Sequence, residues 1–224
     1  MRVQIISLKN SEQASKVTVE PANNGLRLIA LQPRGLYYAV KSLQQLIAPY
    51  VSASNARMPL FTMTDWPDMM DRGLWGCDHF LWLRWMADRK MNIGEQISAR
   101  SVTSDGEGHS ELKPGRETMV TEGPYYGLAP VPVVLHLEQV YSSGLFTYYP
   151  QVISVGGQYG AICYSNGAFT HVLADWIVEL ASLPFVEGID VWMAENLHGS
   201  GGCHCAQCSL WNRNVLEANT IVAA

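Results

Sequence analysis

Hydrophobic and polar positions alternate loosely along the first 35 residues and then change to a helical spacing. Short strands are predicted for the runs VQIIS, KVTVE and GLRLIAL, with a hairpin turn at Asn23-Asn24-Gly25 between the last two. Apolar residues then recur three or four positions apart from Leu36 to Ile47, which predicts an amphipathic helix that Pro49 ends. We therefore predict a first domain at 1–50, followed by a polar linker at 51–60.

Beyond the linker the pattern predicts strands and helices in alternation. Strands are expected at 71–76, 129–137 and 188–193, and helices at 79–91, 169–183 and from 210 to the end. The segment 94–125 has no regular period and is expected to be a long loop. Alternation of this kind, with continuous apolar strands, is typical of an α/β domain with a parallel sheet, here at 61–224.

Composition and charge exclude several classes of protein. The chain has 224 residues, 48% of them hydrophobic, and a formal net charge of −5, as expected for a soluble globular protein. Without a Lys/Arg cluster it is not expected to bind nucleic acid, and without an apolar run of about 18 residues it is not expected to enter a membrane. The first residues lack the apolar core of a signal peptide, so the chain as written is expected in the cytoplasm, although a longer parent protein could be exported.

Three motifs in the first half of the chain resemble those of a known enzyme family. They are the helix around Gly35-Leu36-Tyr37-Tyr38, the pair Asp65-Trp66-Pro67 and Arg72-Gly73-Leu74, and the triplet Lys90-Met91-Asn92. In this order and spacing they resemble the glycoside hydrolases of family 20, the β-N-acetylhexosaminidases. The resemblance implies the end of an α+β accessory domain followed by a partial (β/α)₈ barrel with about four of its eight β/α units.

The resemblance also implies a set of site residues. Glu195, after the predicted strand 188–193, would be the general acid that protonates the leaving oxygen, and we expect it to be partly buried beside Trp192. The sugar would be held by five side chains, namely Arg72, Asp78, His79, His136 and Trp192. Two positions depart from the family: Ala194 replaces the Asp that precedes the acid, and Ile93-Gly94-Glu95-Gln96 replaces the H-x-x-D-D-Q motif.

These features predict a glycosidase that acts on terminal N-acetylhexosamine or a related sugar, without a cofactor for catalysis. The two departures leave an alternative open, a catalytically inactive carbohydrate-binding relative or a gene fragment. Half a barrel would leave strand edges unpaired, so self-association of the chain is also expected.

The cysteines form a separate motif, because three of the five fall within Cys203-His204-Cys205-Ala206-Gln207-Cys208. Close cysteines on a loop can supply zinc with tetrahedral ligands, and His204 or His198 could provide the fourth. The sequence therefore predicts a structural zinc site formed by Cys203, Cys205 and Cys208. A local disulfide with a free thiol, or three reduced thiols, are the alternatives.

Overall fold

The computed structural model describes residues 2–3, 13–23, 25–55, 59–76, 80–195 and 201–224. The chain divides into two compact units. The first comprises Met1–Arg72 and Arg84–Asn92, and the second comprises Gly73–Leu83 and Ile93–Ala224. The predicted residues Asp78, His79 and His198 lie outside the described residues.

The first unit contains a four-stranded sheet and a helix. The strands are β1 (Arg2–Val3), β2 (Ser15–Glu20), β3 (Gly25–Ala30) and β4 (Thr62–Asp65), in the spatial order β1-β3-β2-β4. β2 is antiparallel to β3, which confirms the predicted hairpin. Helix α1 (Pro33–Ile47) begins at a proline, which needs no backbone donor in the first turn, and it packs on β3. Val17, Leu28 and Ala39 form the core between helix and sheet.

Strand β4 follows the predicted linker and still belongs to the first sheet. Asp65 pairs with Ser15, and Thr62 pairs with Thr18, in an antiparallel register. The predicted domains 1–50 and 61–224, joined by a linker at 51–60, stay a prediction. Such a division would have to allow for β4, which follows the predicted linker but pairs with β2 of the first sheet.

The second unit contains a curled parallel sheet. Its strands are β5 (Gly73–Trp75), β6 (Ile93–Val102), β7 (Gly108–Leu112), β8 (Ala129–Val134) and β9 (Asp190–Val191). Four of them are parallel in the order β5-β6-β8-β9, and β7 is antiparallel to the far half of β6. Four parallel strands are half of an eight-stranded barrel, so this sheet is consistent with the predicted partial (β/α)₈ fold.

The described residues after β4 contain six further α-helices. They are α2 (Phe80–Asp88), α3 (Thr118–Thr121), α4 (Leu145–Tyr148), α5 (Gly167–Ala181), α6 (Ala206–Ser209) and α7 (Arg213–Ala223). The helices predicted at 79–91, 169–183 and from 210 onward are confirmed as α2, α5 and α7. The bounds of α2 and α7 are narrower than predicted, and α5 begins and ends two residues earlier. Within the described ranges, no helix has both the length and the apolar character needed to cross a membrane.

Helix α5 covers the sheet of the second unit. The side chain of Asn166 caps it by accepting a hydrogen bond from the Ala168 N–H at 3.0 Å. Its apolar stripe packs with Val102 and Val134 of the sheet, and Trp176 is fully buried in this core. The indole N–H of Trp176 donates to the Ser101 carbonyl at 2.9 Å, which satisfies its polar atom inside the core.

The prediction of a long loop at 94–125 is wrong. This segment holds most of β6 and all of β7, which form an antiparallel pair from Ser98↔Leu112 to Val102↔Gly108. Burial does alternate along β6, but two of its buried positions are polar, Gln96 and Ser98. Ser98 is tolerated because its hydroxyl donates to the Val133 carbonyl at 2.7 Å. Polar residues on the buried face therefore conceal the period of the strand from an analysis of hydrophobicity.

Candidate functional site

The carboxyl ends of the parallel strands bring three ring side chains together. Trp75 ends β5 and stacks on Trp192, which follows β9, with ring centroids 5.7 Å apart at an angle of 29°. His136, which follows β8, meets Trp192 edge to face at 5.0 Å. In barrel enzymes the chemistry lies at this end of the strands. Two of the predicted sugar-binding residues, His136 and Trp192, are thus neighbours here.

Glu195 lies beside this group. One of its carboxylate oxygens is 3.6 Å from Nε2 of His136, and Nδ1 of the same ring is 3.2 Å from the Met193 carbonyl oxygen. Since a carbonyl only accepts, Nδ1 carries the proton of this bond and Nε2 faces the carboxylate. The Glu195 side chain is 64% exposed, so the expectation that it is partly buried beside Trp192 is wrong.

The backbone before Glu195 is held by a buried acid from the C-terminal helix. Glu217 of α7 is fully buried and accepts two hydrogen bonds at Oε1. The Ala194 N–H donates one at 2.7 Å, and the Tyr164 hydroxyl donates the other at 2.8 Å. Ala194 has no polar side chain with which to bind a substrate. The hydrogen bond of its amide to Glu217 holds the backbone directly before Glu195.

A second pair of carboxyl groups, Glu95 and Asp190, lies on one face of the sheet. Glu95 pairs with Val131 of β8, while Asp190 pairs with Val133, two residues further along the same strand. Residues two apart on a strand share a face, so the two acids point to the same side. A hydrogen bond to Asp190, burial and the neighbouring charge together raise the pKa of Glu95 to about 7.

Sequence reasoning did not propose this pair as a site. Glu95 stands where the family carries its H-x-x-D-D-Q motif, which was the only signal available in the sequence. The pairing itself depends on the register of β6, β8 and β9. At neutral pH the pair can hold a proton between its two carboxyl groups, which makes it a candidate for proton transfer or for binding a hydroxyl-rich ligand.

Arg72 lies in the first unit, and its guanidinium is engaged there. Nε and Nη2 both donate to the Lys90 carbonyl, at 3.0 and 2.6 Å, and Nη2 also donates to Oε1 of Gln13 at 2.8 Å. Nη1 donates to the carbonyls of Met69 and Met70. The sugar-binding role of Arg72 stays a prediction, and it would require at least one of these bonds to be exchanged for a sugar hydroxyl.

The cysteine motif gains a member from another part of the chain. The sulfur atoms of Cys163, Cys203, Cys205 and Cys208 all lie within 4.8 Å of one another. Three of these residues are buried, and Cys205 is partly exposed. The sequence offered His204 or His198 as a fourth ligand, whereas the structure places Cys163 next to the three cysteines of the motif. The ring of His204 is exposed, and its Nδ1 lies 3.0 Å from Nη2 of Arg213.

Two thiols of this cluster, Cys205 and Cys163, differ in acidity. Hydrogen bonds from the Ser165 hydroxyl and from the Cys208 backbone lower the pKa of Cys205 to about 6. Burial raises the pKa of Cys163 to about 12. Of these two thiols, Cys205 is therefore the one that more readily becomes a thiolate without help from a bound ion.

Comparison with known proteins reveals a shared fold rather than a shared sequence. No family model matches the sequence, and no curated protein matches it. Among solved structures, a β-N-acetylhexosaminidase from Bacteroides fragilis matches with a TM-score of 0.54 at 14% identity, over 84% of this chain and 43% of its own. A mutant Streptomyces plicatus β-hexosaminidase in complex with the product GlcNAc matches with a TM-score of 0.54 at 17% identity, over 84% and 46%.

A chitobiase of family 20 from Flavobacterium johnsoniae also matches, with a TM-score of 0.51 at 18% identity, over 84% of this chain and 33% of its own. The chain thus spans less than half the length of these three structures. Their likeness establishes a fold similar to that of the family 20 barrels.

Proposed function

We propose that this chain belongs to a glycoside hydrolase that removes terminal N-acetylhexosamine or a related sugar from glycans. The observation that carries the proposal is the position of Glu195, beside His136 and after Trp192, at the carboxyl ends of the parallel strands. Glu195 would donate the proton to the glycosidic oxygen. Trp75 and Trp192 offer flat apolar ring faces against which a sugar ring can stack.

The immediate surroundings of Glu195 can support such a proton transfer. Nε2 of His136 lies 3.6 Å from a carboxylate oxygen of Glu195. Nε2 of His136 can accept a hydrogen bond from a carboxyl group or from a sugar hydroxyl. The bond from Nδ1 to the Met193 carbonyl keeps the imidazole ring in one orientation for either task.

One observation favours a second candidate function, carbohydrate binding without hydrolysis. Ala194 stands where the resemblance implies an Asp that orients the substrate acetamide, and its buried side chain carries no polar group. In this second function the aromatic rings and the Glu95–Asp190 pair would hold a sugar, and Glu195 would have no catalytic part.

Two measurements on the 224-residue chain separate these functions. Tryptophan fluorescence during titration with N-acetylglucosamine reports binding, with glucose as the matched control that lacks the acetamido group. Hydrolysis of nitrophenyl N-acetyl-β-glucosaminide and of a β-linked N-acetylglucosamine disaccharide reports activity. Binding with turnover supports the hydrolase, and binding alone supports the second function. The absence of both would overturn the proposal.

A further inference from the structure

We infer that Cys163, Cys203, Cys205 and Cys208 form a structural zinc centre with four thiolate ligands. In a tetrahedral site with Zn–S bonds of about 2.3 Å, neighbouring sulfur atoms lie roughly 3.8 Å apart. Here Sγ of Cys163 lies 3.6 Å from Sγ of Cys205 and 3.9 Å from Sγ of Cys208. These separations fit one ion held between the sulfurs and are far longer than a disulfide bond of about 2.05 Å.

The hydrogen bonds around the cluster suit thiolates. The backbone N–H of Val155 points to Sγ of Cys203 at 3.3 Å, and that of Cys208 points to Sγ of Cys205 at 3.4 Å. The Ser165 hydroxyl lies 3.2 Å from Sγ of Cys163 and 3.4 Å from Sγ of Cys205. Donors aimed at sulfur stabilise its negative charge and orient the ligands of a metal.

A positively charged side chain lies close to the proposed zinc centre. Zinc with four thiolates carries a formal charge of −2, which favours a nearby cation. Nε of Arg213 donates to the Cys203 carbonyl at 2.9 Å, which places this guanidinium beside the cluster. Among the described residues, the four cysteines form the group of three or more His, Cys, Asp or Glu side chains that lie close enough together to share an ion.

Four protein ligands leave no open position, so the ion would be structural rather than catalytic. It would join the segment around Cys163 to the segment around Cys203 and to α6. The residue after Cys163 is Tyr164, which bonds to Glu217, and Glu217 holds the Ala194 amide at 2.7 Å. The zinc centre would therefore stabilise the segment that carries Glu195, and its existence does not depend on the proposed hydrolase activity.

The test is metal analysis of the whole chain, purified under reducing conditions. We expect about one equivalent of zinc per chain, and a fall in Tm when a chelator removes it, because binding energy contributes to folding. Replacement of zinc by Co²⁺ should give the visible absorption of a tetrahedral site together with intense sulfur-to-metal charge-transfer bands. This spectrum reports the ligands even if a cysteine variant fails to fold.

Three variants then identify the ligands. C163S should lose the metal or bind it much more weakly, whereas H204A and C77S should retain about one equivalent, since neither residue belongs to the proposed set. A freshly reduced protein that contains no zinc and gives no charge-transfer bands with Co²⁺ would overturn the inference. So would retention of full zinc stoichiometry by C163S with its loss in H204A, because the fourth ligand would then be the histidine.

Discussion

Two groups of side chains in the second unit are built in opposite ways. The cysteine cluster brings four residues of one type within 4.8 Å of one another and is largely buried. The group at the carboxyl ends of the strands combines different side chains, and Glu195 and Trp75 are exposed there by 64% and 49%. A closed set of identical ligands suits an ion that stays, whereas an open and varied set suits a ligand that enters and leaves.

The largest expected effect concerns the open group, by which we mean Trp75, His136, Trp192 and Glu195 at the carboxyl ends of the strands. In the proposed hydrolase, E195Q should lower the hydrolysis rate of the disaccharide by about 10²–10⁴-fold, because the glycosidic oxygen loses its proton donor. The loss should be smaller for the nitrophenyl substrate, since its leaving group needs little protonation. Steady-state kinetics measure both effects, and Tm should hardly change because the Glu195 side chain is exposed.

The matched control for E195Q is E122Q. Glu122 is also exposed and precedes the amino end of β8, the opposite end of the sheet. Its variant should hydrolyse both substrates at the normal rate. If E195Q keeps full turnover on the disaccharide, the general acid is another residue and the assignment of the strand that precedes Glu195 fails.

The second effect concerns Glu217, the buried residue that links the two groups. Its replacement in E217A would leave the Ala194 amide and the Tyr164 hydroxyl without their acceptor in a buried site, at a cost of about 2–4 kcal/mol. Urea unfolding should show this loss. E217Q should recover most of it, because an amide oxygen can accept the same two hydrogen bonds.

If Glu217 also positions Glu195, its replacement should lower the rate of hydrolysis as well as the stability. E217A should then lower kcat more than it changes KM, and E217Q should restore kcat. A normal kcat in E217A would restrict Glu217 to a purely structural role.

The third effect concerns the Glu95–Asp190 pair. The pKa of Glu95 is raised to about 7 in the folded protein, above its ordinary value of 4.5, so the native state binds this proton more tightly than the unfolded chain. The resulting stabilisation is complete below pH 4.5 and is lost as the pH rises to about 7. Because Glu95 is partly exposed, solvent screening reduces the change to about 1–2 kcal/mol.

Replacement of the titrating group should remove this pH dependence. E95Q should be more stable than the original protein at pH 8 and nearly equal to it at pH 4.5. Thermal unfolding at the two pH values measures the difference, and D190N should behave in the same way. An equal change of stability at both pH values would show that the two acids do not share a proton.

What the sequence could predict depends on whether a feature is local. Helix α5 is evident because its apolar stripe recurs within 15 residues, and the cysteine loop is evident because its members are adjacent. Strand β6 escapes prediction because buried Gln96 and Ser98 interrupt its apolar pattern. The pattern of apolar residues reveals a helix or strand only where the buried positions are also the apolar ones.

The candidate site shows the same limit at longer range. Cys163 joins the cysteine cluster from 42 positions before Cys205, and no spacing rule identifies it. The pairing of Glu95 with Asp190 depends on the register of three strands. The contacts of the Arg72 guanidinium with backbone carbonyls likewise depend on the folded path of the chain. A sequence motif can therefore identify Arg72 as a candidate residue but cannot predict which groups it contacts.

The smallest expected effect concerns the aromatic face of the open group. Trp75 stacks on Trp192 at 5.7 Å and is half exposed, so W75A should change Tm little but remove one wall of the proposed sugar site. An aromatic contact of this kind is worth about 0.5–1.5 kcal/mol, which corresponds to a two- to tenfold weaker Kd for N-acetylglucosamine. W75F retains a flat ring and should lose less, and W82A, which alters another half-exposed tryptophan on α2, is the control for unrelated fluorescence changes. Equal affinities in W75A and the original chain would place the sugar away from these rings, and the open group would then lose its main claim to bind carbohydrate.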